Sequence, residues 1–181
     1  MSDLKGRIER DENSFQKLAA AIPGFKGYRE QEIRRTADRL LRDHLVKLLD
    51  ASRSKLQRQL RDAGIGDLQM VHTLERTERR LTSLRDRVDH ASYGESGLFD
   101  AVKVQAEELD RMYDYDRSLM DTIGAIDGII EQMGAAEDKS ELLGSLQDEL
   151  DTFDQLLDDR AEVIRDAVPG GPDAAPGEAP A

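Results

Sequence analysis

Four polar residues stand where the spacing of their neighbours calls for apolar ones. His44 falls among Leu40, Leu41 and Leu48, Asp116 among Leu109, Tyr113 and Met120, Asp127 between Ile123 and Ile130, and Glu78 between Val71 and Leu81. Burying such a group without a partner costs about 1–3 kcal/mol, and more when it is charged, so each must be paired or perform chemistry. His44 lies 15 residues past Arg29 and Asp116 18 past Leu98, the points at which two long helices are predicted to begin. If those helices run parallel, the two side chains come to nearly the same height. The spacing therefore predicts a buried polar layer of His44, Glu78, Asp116 and Asp127, with His44 meeting Asp116 and Glu78 nearby. Such a layer can hold a metal ion or a proton, or it can fix helix register; register is the preferred reading.

The alternatives that would make it a reactive site lack their sequence signatures. A di-iron helical bundle uses a glutamate three residues before a histidine, and the residues three before His44, His72 and His90 are Leu41, Gln69 and Arg87. Asp86 and His90 have the four-residue spacing of a two-ligand helical site, a spacing that exposed pairs on charged helices also share. There is no cysteine, so thiolate chemistry and disulfides are excluded. No glycine loop ends in lysine and serine or threonine, and no dinucleotide fingerprint follows a strand pattern. Neither a metal, a cofactor nor a catalytic group is expected; a metal-dependent helical enzyme is the last of the readings considered.

The elements that must position these residues are helical throughout. Leu4, Ile8, Phe15, Leu18, Ala19 and Ile22 share about a third of a helical wheel, which predicts a short amphipathic helix over residues 2–22, with Asp11 intruding on its face. Pro23, Gly24 and Gly27 end it in a corner anchored by Phe25 and Tyr28. Apolar residues then return every three or four positions in four long helices, at about 29–62, 67–91, 98–133 and 138–168. Ala63-Gly64-Ile65-Gly66 stops the first, Ser92 to Gly97 separates the second from the third, and Asp138 with Glu141 forms a capping box for the fourth. Short connections imply antiparallel neighbours. The expected fold is all-α: an antiparallel helical bundle, or helical hairpins that complete their core with a second subunit. Its parts are an N-terminal amphipathic helix and hinge over 1–27, a bundle or coiled-coil domain over 28–168, and a disordered acidic tail of proline, glycine and alanine over 169–181.

The charge is asymmetric. Residues 26–62 carry 11 basic and 6 acidic groups, whereas residues 92–181 carry 6 basic and 23 acidic, within a net charge of -12. Arg35, Arg39 and Arg42 align on the first long helix and could contact nucleic acid. The acidic half weakens that attraction, so a protein surface is the preferred partner for this face. Tyr93, Leu98 and Phe99, beside flexible glycines, form a second candidate partner contact.

The short helix followed by a Pro-Gly hinge resembles, in plan, the membrane-binding helix that precedes the helical hairpins of the bacterial phage-shock and thylakoid membrane-remodelling proteins. That resemblance implies a membrane-facing role for Leu4, Ile8, Phe15, Leu18 and Ile22; docking of the same face on the bundle is the alternative. With no apolar leader after Met1 and no run of membrane-spanning length, a cytoplasmic location is expected. The sequence thus points to a non-enzymatic scaffold or adaptor that self-associates or binds a protein, with peripheral membrane association as the second reading.

Overall fold

The computed structural model describes residues 13–63, 68–91, 99, 104 and 106–166. Among these there is no strand, and the all-α expectation holds. A helix over residues 13–21, α1, leads through the Pro23 to Gly27 corner into α2, Gln31–Asp62; α3 is Leu68–His90, α4 Ala106–Met133 and α5 Ser140–Asp166. Leu4, Ile8, the loop residues Tyr93 and Leu98, and the tail 169–181 lie outside the described residues.

Each long helix buries the stripe that its spacing sets apart. On α2 that stripe is Ala37, Leu41, Leu45, Leu49, Ser52 and Leu56, and on α4 it runs from Leu109 through Asp116 and Ile123 to Met133. At 32 residues α2 is about 48 Å long. Its end is closed by the Ala63 amide donating to the Gln59 carbonyl. At the start of α5 the Ser140 amide donates to Asp138 Oδ1 at 2.9 Å, two residues away rather than the three that a capping box requires. That bond, with one from the Ser140 side chain, holds the Asp138 carboxyl below its ordinary value.

Ion pairs and hydrogen bonds between helices give the topology directly. Arg53 reaches Glu78 while Arg85 reaches Asp50, so α2 and α3 form an antiparallel hairpin. Ser52 reaches Asp127 while Gln59 lies beside Gly134, so α2 and α4 run parallel and in contact. On the other side, Arg80 pairs with Asp151 and Arg87 with Asp154 and Asp158, so α3 and α5 also run parallel. Two hairpins, α2/α3 and α4/α5, therefore lie side by side, and the helices succeed one another around the bundle as α2, α3, α5, α4. First and third helices are direct neighbours here, not diagonal ones.

The third long helix departs from its expected bounds. Val104 is not helical and α4 begins at Ala106, eight residues later than Leu98. This shift decides which residues share a height across the α2/α4 boundary.

Candidate functional site

The buried charged side chains gather near the start of α2. Asp116 is fully buried on α4, Arg160 is 1% exposed on α5, and Asp38 is 4% exposed on α2. Each occupies a position on its helix that packing assigns to the core: Asp38 is three residues before Leu41, Asp116 three before Leu119, and Arg160 between Leu157 and Ile164. Arg160 donates from Nε to Asp116 Oδ1 at 2.6 Å and from one terminal nitrogen to Asp38 Oδ1 at 2.8 Å. The second oxygen of Asp38 accepts from Arg42 at 2.9 Å. Two carboxylates thus face two guanidinium groups, and the cluster is close to neutral.

Tyr28 completes it. The corner after α1 places its ring under the bundle, where its hydroxyl donates to Asp116 Oδ2 at 2.6 Å and accepts from Arg160 at 3.3 Å. Its amide donates to the Tyr113 hydroxyl at 2.8 Å, and its carbonyl accepts from Arg34 Nε at 2.7 Å. Phe15, Phe25, Tyr28 and Tyr113 pack ring on ring, with Tyr28 stacked on Tyr113 at a centroid distance of 5.4 Å. Gly27 is required by this geometry: its φ is +81°, and a Cβ there would stand 2.5 Å from the Tyr113 hydroxyl.

Burial, followed by the charge of Asp116, pushes the Tyr28 hydroxyl well above its ordinary value, so it remains a donor at neutral pH. Burial also raises the Asp116 carboxyl, against the opposing charge of Arg160 and the bonds that Tyr28 and Arg160 donate. Every oxygen of the two carboxylates is taken by a partner within the chain. The arrangement clamps α2, α4, α5 and the N-terminal segment to one another.

The pairing of His44 with Asp116 is corrected by these contacts. Because α4 begins late, Asp116 stands level with Asp38, nearly two turns earlier on α2 than His44. His44 is half-buried, and burial followed by the charge of Lys47 lowers its pKa. The other two members of the expected layer also lie elsewhere. Glu78 accepts from Arg53 at 2.7 Å and Gln57 at 3.0 Å, and Asp127 accepts from Ser52 at 3.1 Å and Lys55 at 2.7 Å. Burial alone would raise the Glu78 carboxyl, and the bonds from Arg53, Gln57 and Thr82 outweigh it and hold the group low. Glu78 and Asp127 thus clasp α2 at one height, over residues 52–57, while Asp116 lies about four turns away, level with Asp38, and His44 belongs to neither cluster.

The candidate contact faces are divided as well. Arg35 and Arg39 are exposed, while Arg42 is tied to Asp38 and to the Asp89 carbonyl of α3. Phe99 is 3% exposed and belongs to the core, so it cannot serve as an open contact in this fold. Leu18 and Ile22 are buried at 0% and 2%, with Phe15 packed against the same core. The described part of the candidate membrane face is thus docked on the bundle, and the Ser14 hydroxyl, donating to Asp114 at 2.8 Å, pins it to α4.

Sequence reasoning missed Tyr28, Asp38 and Arg160 as members of the cluster. The signal for Arg160 was present and identical to that for Asp116: a charge three and four residues from apolar core positions. Asp38 was hidden by its second bond, because an i,i+4 partner in Arg42 satisfies the pattern of an exposed surface pair.

Among the described residues no group of three acidic or histidine side chains could hold a metal ion, and no helix is long and apolar enough to cross a membrane. The chain matches no protein-family model, no curated protein and no solved structure.

Proposed function

We propose that this chain is a non-enzymatic helical scaffold or adaptor that self-associates and acts through protein-protein contact. The observation that carries the reading is the saturation of the buried charges. Asp116 spends both oxygens on Arg160 and Tyr28, and Asp38 spends both on Arg160 and Arg42. A polar centre built to bind or transform a ligand keeps some of its hydrogen-bonding capacity pointed at that ligand. Here that capacity is turned inward on helices and N-terminal segment, and charged helix faces are left for partners outside.

Capture of the tagged full chain from its native host at low salt, with mass spectrometry of the co-purifying proteins and light-scattering mass of the eluate, tests the proposal. A stoichiometric protein partner or a defined self-assembly is the expected result. Recovery of the single chain alone, monomeric and without a partner, would overturn it.

A further inference from the structure

At the end of the bundle opposite the buried cluster, α3 and α5 border an open groove. The groove between their first turns encloses about 430 Å³ and is lined by Gln69, Met70, Thr73 and Arg76 on one wall and Ser140, Leu143, Gly144 and Gln147 on the other. Leu68, the one large apolar side chain exposed among the described residues at 64%, adjoins it.

The outer face that continues from this groove carries segregated charge. Arg76, Arg80 and Arg87 lie on one edge of α3, and Asp151, Asp154 and Asp158 on the facing edge of α5. Arg80 and Arg87 already pair with those aspartates within the chain, yet both partners stay open to water: the Arg80 and Asp151 side chains are 41% and 62% exposed, those of Arg87 and Asp158 38% and 63%. Arg76 is exposed and has no carboxylate partner among the described residues.

We infer that this α3/α5 face is a docking surface for a second copy of the chain, related by a twofold axis parallel to the helices. This rests on the self-associating reading above and names its partner. The geometry selects the axis. A twofold parallel to the helices places α3 of one copy against α5 of the other, and because α3 and α5 run parallel within the chain, heights are preserved. Arginines then meet aspartates on both sides, with Arg80 level with Asp151 of the second copy and Arg87 level with its Asp154 and Asp158. A twofold across the helices would instead set α3 against α3 and arginine against arginine. Exposed ion pairs contribute little each, so the charges set partner and orientation while the exposed Leu68 supplies apolar contact.

The test is the light-scattering mass of the full chain across concentration and salt. Twice the chain mass at low salt, with the dissociation constant of the dimer raised at least tenfold on raising salt, is expected. R80E combined with R87E should abolish the dimer while helical circular dichroism is kept, and adding D151K with D154K and D158K should restore it. A chain that stays monomeric at all salts overturns the inference, even if native capture finds a different protein partner and the adaptor reading survives. A dimer unmoved by R80E with R87E overturns this face while leaving self-association intact.

Discussion

The two ends of the bundle use the same pair of side chains, arginine and aspartate, to opposite effect. At the Tyr28 end Arg160, Asp38 and Asp116 are between 0% and 4% exposed and join three helices and the N-terminal segment. On the α3/α5 face Arg87, Asp154 and Asp158 make ion pairs of the same kind, with side chains about two-fifths exposed or more. Burial is what separates them. Removing water raises both the strength of a charge pair and the penalty for leaving either member alone, so the inner cluster must be complete, whereas the outer pairs are interchangeable with solvent.

The sharpest way to break the comparison is Arg160→Leu. It leaves Asp116 and Asp38 facing each other without their shared cation, and loss of one partner from a buried pair costs about 3–5 kcal/mol. Urea unfolding followed by circular dichroism should show the midpoint collapse, or a chain that no longer folds. A loss under about 1 kcal/mol would mean that the cluster tolerates an open charge and that its burial is not what gives it value.

Gly27→Ala attacks the same end through the backbone. The residue would have to hold a φ of +81° and its Cβ would displace the Tyr113 hydroxyl that accepts from the Tyr28 amide. Strain at such a position and local overpacking each cost about 1–3 kcal/mol. The N-terminal segment should loosen first, so limited proteolysis at Lys26 or Arg29 should speed up by more than the fall in global stability. Equal protection in the variant would show that the corner adjusts without disturbing Tyr28.

On the outer face, Arg87→Ala removes two ion pairs and leaves two aspartates in water. The expected loss is under about 1 kcal/mol, since solvated pairs of this kind contribute 0.2–1 kcal/mol. Measured beside Arg160→Leu in the same urea series, it gives the ratio on which the comparison depends. A loss comparable to that of Arg160→Leu would place the α3/α5 pairs among the structural determinants of the fold.

Fold class was legible because helical periodicity needs only one chain and one rule: Leu41, Leu45, Leu49 and Leu56 recur at core spacing and all are buried. Helix ends were less so. The apolar spacing runs on unbroken from Phe99 past Val104, yet Phe99 is helical, Val104 is not, and α4 starts at Ala106. That single boundary moved the partner of Asp116 from His44 to Asp38. Asp116 itself stood out, since an aspartate in a stripe of Leu, Met and Ile announces a buried bond. What it bonds to depends on register between helices, which no intrahelical pattern encodes. Tyr28 was read as an anchor of the corner, but its hydroxyl's reach to Asp116 and Arg160 depends on a fold in the backbone at Gly24 and Gly27. The docking of Leu18 and Ile22 was one of two destinations for the same apolar stripe, and only tertiary contact distinguishes them.

His44, midway between the two ends in burial, gives the smallest effect and a check on sign. Burial and then Lys47 disfavour its charged form, so its folded pKa lies below the ordinary histidine value of 6.5. Between the folded pKa and 6.5 the unfolded chain binds more protons than the folded one, and stability therefore rises with pH across that window. The contribution is complete above 6.5 and is lost as pH falls toward the folded value. His44→Gln abolishes the linkage, so the difference in unfolding free energy between the parent and the variant should rise with pH below 6.5 and flatten above it. Had His44 met Asp116, the carboxylate would have favoured the imidazolium and the slope would have the opposite sign. A difference that falls with rising pH would restore that pairing and undo the register drawn from α4.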